Sequence, residues 1–356
     1  MKKAYAKKAV QNYRNAQGNF MTGSRIALKK EADLAAFYYP GILEILGKID
    51  AKPAMQDKLC SYNRTVGVLS SKGSANYPLL TAKAALISQV ADVNAIPLMI
   101  KYDKVKHIGS VIRNLAHNFQ VIVCTDFSPM ERMMAESTYS GDTPLLFHDE
   151  LEAGAIAAAV MASSKMMKKT AKRLTITIEG SDALSHDIIH LLLSEKYEQI
   201  TLLDERGPLY TKRPNMNKYK KALTSLLKLK KDARSRTEVL SETDLYINTE
   251  TESLKSSTTS SLTEKAVIIT SRALEIEKSK KQTLVSTLPM YDNHITDLHL
   301  AVGIIEGICS NKKWTTKSFQ QAIRGLSQVY KSPKSTHLIP GLLEKNLAKK
   351  IAKGIK

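Results

Sequence analysis

Hydrophobic residues recur along this chain in two periods that alternate. Continuous apolar runs of strand length, RTVGVLSS (64–71), IPLMI (96–100), QVIVCTD (120–126) and PLLFHDE (144–150), are separated by stretches with helical spacing. One such stretch, PLLTAKAALISQVADV (78–93), opens on a proline, which suits a helix N-terminus because its ring presets φ and the N–H it lacks would have no partner within the helix. The rhythm then repeats. RLTITIEG (173–180), a helix over 181–196, QITLLDERG (199–207), LYIN (245–248) and KAVIITS (265–271) follow the alanine-rich helix AGAIAAAVMASSKMM (153–167). Strand–helix–strand order with fully apolar strands predicts parallel sheets covered on both faces. The pattern therefore predicts an α/β protein of two α/β units with helical N- and C-terminal segments. Residues 231–264, polar and rich in Ser and Thr, read as exposed loops around one buried strand, and the tail from about Asn293 reads as mostly helical.

Composition narrows the partners without choosing one. The 356 residues carry 53 Lys and Arg against 34 Asp and Glu, a net charge of +19, which favours anionic ligands or surfaces. Aromatic residues are only 6% and tryptophan is single, so stacking platforms are scarce and no nucleic-acid motif is present, which weighs against nucleic acid as a partner. Three widely spaced cysteines, Cys60, Cys124 and Cys309, form no CxxC pair and predict neither a disulfide framework nor a structural zinc site. The alanine-rich stretch is too short and too weakly apolar to span a bilayer, so no membrane partner is expected. The first thirty residues contain no acid and read as a basic, partly helical arm without a secretory signal; the expected setting is cytoplasmic, with the mitochondrial matrix as the alternative.

Glycine, at 16 residues of 356, is scarce, and this bears on nucleotide chemistry. ITIEGSDALSHDIIHLL runs from a strand into a helix, the context of a dinucleotide fingerprint, yet the three glycine positions read Gly180, Asp182 and Ser185. An aspartate there caps the helix and places negative charge where a pyrophosphate would dock. Asp204, 24 residues after Gly180, stands where a ribose-binding acid is expected.

Several strings in order resemble the malic enzyme family in its compact bacterial form. FYYPGILE (37–44) is similar to the family's YTPGV motif, TAKAAL (81–86) to GKALL, and NAIPLMI (94–100) to the DAFPI strand. VIVCTDF (121–127) is similar to the INLEDI metal strand, LLFHDELEAGAIA (145–157) to the VFHDD segment, and YDNHITDLHLAVGII (291–305) to a C-terminal substrate segment. The resemblance implies an N-terminal domain over 1–150, a Rossmann-like NAD(P)-binding domain over 151–300, and C-terminal helices over 301–356 packing back on the N-terminal unit. It implies NAD or NADP and Mg²⁺ or Mn²⁺ as cofactors, malate as substrate, and a homo-oligomer or a partnership with an active relative. By the same resemblance Tyr38 is the general acid and Lys83 the general base, Asp126, Asp149 and Glu150 are metal ligands, and Gly180, Ser181 and Asp204 bind the cofactor.

The chain also departs from that pattern. Thr125 replaces a metal-binding glutamate, Glu150 replaces an aspartate, and SKGSANY (71–77) is shorter than the family's substrate loop. Arg272, Thr296 and Asp297 stand where the family has asparagines that hold malate. The expected function is a malic-enzyme homologue with degraded or lost oxidative decarboxylation of malate to pyruvate and a residual binding or structural role. Two alternatives remain: an active NAD(P)-dependent malic enzyme with a rearranged metal site, and a basic anion- or nucleic-acid-binding protein on the same fold.

Overall fold

The computed structural model describes residues 64–355 apart from 73–75, 251–252, 255, 272–274, 289–290 and 311–312, together with 46–47 and 50–53. Tyr38 and Arg272 lie outside the described residues. The chain divides into two compact units, residues 1–147 with 308–311, and residues 148–307 with 312–356.

In the first unit, β1 (Thr65–Ser70) is buried along all six residues, as its unbroken apolar run requires. Next, α1 (Tyr77–Ala91) begins with Pro78 in its first turn and ends where Asp92 turns left-handed at φ 53°. Arg64 donates to the carbonyls of Ala91 and Asp92 at 2.8 and 2.9 Å, satisfying two of the acceptors a helix end leaves open. There follow β2 (Asn94–Met99), α2 (Ile108–Ala116), β3 (Val121–Thr125), α3 (Pro129–Thr138) and β4 (Leu145–Phe147). The four strands are parallel in the order β2-β1-β3-β4. Leu69, Ile108, Ile112, Phe119, Ile122 and Phe147 are among the core residues that fix the helices to the sheet. From β1 the chain moves to one side of the sheet and from β3 to the other. The carboxyl ends of these two neighbours therefore form a topological switch point, where side chains can converge in an open crevice.

The second unit opens with α4 (His148–Met166), the alanine-rich helix, which buries twelve residues and is apolar nearly all round. Gly154 lets it approach its neighbours: a Cβ there would lie 2.5 Å from Leu300 and 3.0 Å from Phe319. Then come β5 (Ile176–Glu179), α5 (Ala183–Ser194), β6 (Ile200–Asp204), β7 (Gly207–Pro208), α6 (Lys218–Leu226), α7 (Arg236–Ser241) and β8 (Leu245–Asn248). The unit continues through β9 (Ser253–Leu254), α8 (Ser256–Ser261), β10 (Val267–Thr270), β11 (Glu275–Ile276), β12 (Thr283–Ser286), α9 (Asp297–Cys309), α10 (Thr316–Ser327) and α11 (Leu347–Ala352). The main sheet has the order β12-β10-β8-β5-β6-β7 and is parallel except for β7, which pairs antiparallel with β6. This is a doubly wound dinucleotide-binding topology in which a two-residue return strand stands in the place of the third parallel strand. Its switch point lies between β5 and β8.

One expectation changes here. Residues 231–264 are more ordered than their polarity suggests, because Ser235 and Glu238 form a reciprocal capping box that starts α7 and buries Val239 and Leu240. Residues 312–356 group with the second unit. Within that unit, the buried Phe319 and Ile323 of α10 meet α4 at Gly154.

Candidate functional site

At the switch point of the first unit, Lys83 reaches from α1 toward β3. It is 8% exposed, and its ammonium donates to Thr125 Oγ1 at 2.9 Å. Thr125 is the last residue of β3, and Asp126 follows in the left-handed region at φ 59°, a conformation that aspartate tolerates better than most residues. Asp126 Oδ2 takes a long 3.5 Å contact from the Ser70 hydroxyl, and its backbone carbonyl a similar one from Ser71. Nearby, Tyr102 donates to Glu131 of α3. Burial, then Glu131, push the Tyr102 phenol up to about 12, so it stays protonated and serves as a donor. Lys83 and Asp126 are thus brought to one strand edge, where the ammonium is anchored on a neutral hydroxyl.

In the second unit, Asp149 and Glu150 lie in the first turn of α4, where carboxylates complement the positive end of the helix dipole. Just before them, His148 Nδ1 is 2.9 Å from Asp297 Oδ2 and its Nε2 is 3.4 Å from Glu152. Asp297 is 4% exposed. The position where the resemblance leads one to expect an asparagine therefore holds a carboxylate engaged by imidazole. Beside it, His299 is fully buried and accepts from the Thr296 N–H at 3.0 Å through Nδ1. Burial, then His294, hold its pKa down to about 4. Among the described residues no three His, Cys, Asp or Glu side chains form a group able to hold a metal ion. A hard divalent cation wants several anionic oxygens, and Thr125 offers a neutral hydroxyl in place of one.

The dinucleotide turn is built and already filled. Gly180 takes φ 146°, and a Cβ on it would lie 1.9 Å from Thr249 Oγ1, so glycine is required by both backbone and space. Asp182 is the N-cap of α5: its Oδ1 accepts from the Ser185 N–H at 3.0 Å and the Ser185 hydroxyl at 2.9 Å. From the loop after β8, Glu250 Oε1 accepts from the Ser181 N–H at 2.8 Å and the Ser181 hydroxyl at 3.0 Å. Two carboxylates thus take the amide donors that would cradle a pyrophosphate.

Beneath this turn, Glu179 receives both guanidinium nitrogens of Arg236, at 2.8 and 2.7 Å, and the Tyr246 hydroxyl. At the end of β6, Asp204 is held by Arg213 at 3.0 Å, Lys220 at 2.9 Å and the Arg206 N–H at 2.9 Å. Burial raises the Asp204 pKa, but the hydrogen bonds from Lys220, Arg206 and Arg213 outweigh it and keep the carboxyl below its ordinary value. Its oxygens face protein cations where a ribose would need them. Gly180 follows the end of β5 and Asp204 ends β6, as read from the sequence, whereas Glu250, Arg236 and His148 were not singled out. Glu250 lies 69 residues from Ser181, and no spacing rule links them.

Together, the two parallel sheets define an α/β protein whose second unit has a doubly wound, Rossmann-like topology. No protein-family model matches the chain. A probable NADP-dependent malic enzyme of Rickettsia prowazekii is 26% identical over 238 residues, covering 62% of this chain and 30% of that protein. A bifunctional malic/malolactic enzyme of Bacillus subtilis is 23% identical over 245 residues, covering 65% and 60%. The chain thus spans 30% and 60% of the lengths of these two relatives. Among solved structures, an NAD-dependent malic enzyme of Thermotoga maritima matches with TM-score 0.80 at 18% identity over 98% of both chains. A malic enzyme of Entamoeba histolytica matches with TM-score 0.80 at 16% identity over 98% of this chain and 80% of that one. The chain is a relative of the malic enzymes and has their fold.

Proposed function

We propose that this protein is a malic-enzyme homologue in which oxidative decarboxylation of malate is degraded or lost, and that its present role is binding or structural, as a homo-oligomer or beside an active relative. The observation that carries this reading is the occupation of the dinucleotide turn by Glu250 and Asp182. A pyrophosphate brought to within about 4 Å of either carboxylate meets roughly 4 kcal/mol of repulsion per charge pair at an effective dielectric near 20. The helix dipole offers at most about 1 to 2 kcal/mol in return. Repulsion wins. The loss of an anionic donor at Thr125 and the carboxylate at Asp297 point the same way, since both act against holding a metal-bound dicarboxylate.

The second reading, retained NAD(P)-dependent catalysis, is favoured by Lys83, which keeps a buried amine at the switch point where a base would act on a hydroxyl proton. The two readings part in one assay. Purified protein with malate, Mn²⁺ and either NAD or NADP is expected to yield no reduced cofactor, and millimolar dinucleotide is expected to leave the melting temperature unchanged, because a ligand that binds only the folded state must raise it. Malate- and Mn²⁺-dependent NAD(P)H formation that disappears in Lys83→Ala would overturn the degraded reading in favour of the enzyme.

A further inference from the structure

Between Arg206 and Arg236 the chain carries eleven Lys and Arg against one acid, Asp232. Four of these cations are spoken for: Arg213 and Lys220 by Asp204, Arg234 by Asp232 and Glu242, and Arg236 by Glu179. The lysines at 212, 218, 221, 228, 230 and 231 are exposed, and no carboxylate pairs with any of them among the described residues. Four of them, Lys212, Lys228, Lys230 and Lys231, line an open cleft of about 560 Å³ together with Tyr210 and Ser225.

The cleft stands on a firm frame. Thr211 N–H donates to the Leu229 carbonyl at 2.9 Å, and the Thr211 hydroxyl to the Thr224 carbonyl at 3.1 Å. Lys212 and Lys228 are both in the left-handed region, at φ 68° and 51°, which turns the two segments toward each other. Along α6, positions 218, 221 and 225 share one helix face by their spacing of three and four, whereas Lys220 and Thr224 are held on another face by Asp204 and the backbone. The cationic row thus continues from the cleft at Ser225 through Lys221 to Lys218, about 10 Å along the helix at 1.5 Å per residue. One or two phosphates need no such length.

We infer that this face of the second unit binds the phosphate backbone of a single-stranded nucleic acid, with Tyr210 presenting a ring to a base inside the cleft. A strand fits better than a membrane, because the exposed large hydrophobic side chains among the described residues all lie outside 206–236, and nothing here would insert into lipid. A strand also fits better than a duplex, because an unstacked base can reach Tyr210, which lines the open cleft. Such binding is independent of sequence and falls steeply with salt, with a slope near −0.7 per phosphate contact. The site is separate from the dinucleotide turn, so it holds whether or not catalysis survives.

The test is fluorescence anisotropy of the full chain with a labelled mixed-sequence 20-nucleotide single strand, titrated at salt concentrations from 50 to 300 mM. The triple variant Lys221→Gln, Lys230→Gln and Lys231→Gln leaves the two left-handed lysines in place and is expected to bind at least tenfold more weakly at 100 mM salt. Its salt slope should be shallower by about 2, three contacts at 0.7 each. A control triple with the same charge loss on the first unit, Lys101→Gln, Lys104→Gln and Lys106→Gln, should change affinity less than twofold. Tyr210→Ser should weaken the strand while leaving competition by inorganic polyphosphate unchanged. Equal loss in both triples, tighter association with phosphatidylserine vesicles than with the strand, or no binding at 50 mM salt overturns the inference. Equal circular-dichroism spectra and melting curves exclude unfolding as the cause of any loss.

Discussion

Adding one methyl group at Gly180 would place it 1.9 Å from Thr249 Oγ1 and 2.8 Å from Ser185 Oγ, on a backbone whose φ of 146° side chains rarely adopt. The overlap and the strain are each worth about 1 to 3 kcal/mol, so Gly180→Ala is expected to lower the stability of the second unit by about 3 kcal/mol, read as a drop in the urea midpoint. An unchanged midpoint would show that the turn relaxes at no cost and that glycine is not required there. The same residue illustrates how much of a site is legible. Its place at the end of an apolar strand and the start of a helix could be read directly, because a β-to-helix change of period needs a turn. The identity of its contacts could not. Thr249 and Glu250 come from β8 and its following loop, and only the parallel pairing of β5 with β8 brings them to the turn.

At the scale of elements, the N-terminus of α5 is the decisive piece. In a dinucleotide-binding unit this helix end, backed by a glycine turn, attracts a pyrophosphate; here Asp182 caps it and Glu250 occupies the preceding amide. If these charges are what excludes a dinucleotide, the double variant Asp182→Gly with Glu250→Ser should gain it. The N-cap change to glycine costs only a few tenths of a kcal/mol, so the fold should persist. The expected outcome is a melting temperature that rises with added NAD or NADP in the double variant and stays flat in the parent protein. A flat response in both would locate the block elsewhere, with Asp204 and its cations Arg213 and Lys220 the next obstacle on the ribose side. Elements read from pattern alone held where strands were buried on both faces. The polar stretch 231–264 differed, because a capping box and two buried side chains stabilise a helix that average polarity hides.

For the molecule as a whole, stability should depend on acid through a buried imidazole. His299 is fully buried at the start of α9, and burial holds its pKa near 4 against an ordinary value near 6.5. Between these values the unfolded chain takes up a proton that the folded one refuses, so folding free energy is lost as pH falls from about 6.5 to about 4 and levels off below. The loss integrates to roughly 3 kcal/mol, 2.5 pH units at 1.36 kcal/mol each. His299→Asn, which keeps an acceptor for the Thr296 N–H, should remove that component, so the difference between variant and parent in urea unfolding should shrink on acidification. A constant difference across this range would show that His299 is already protonated in the folded protein.

The sequence by itself determined the architecture. Apolar strands alternating with amphipathic segments leave few ways to bury both faces of a sheet, and the net charge of +19 follows from composition alone. It also determined which residue types stand at the strand ends, Asp126 in one unit and Gly180 and Asp204 in the other, and that Lys83 stands on a helix. Only the tertiary structure decided what those residues face. Whether an amide at a helix end is open to a phosphate or closed by a carboxylate depends on a side chain 69 residues away. Whether six lysines form a site or a scattered solvated surface depends on the turn that folds 210–212 against 228–231. Periodicity is a local property of the chain, whereas electrostatic partners are chosen by pairing strands far apart in sequence.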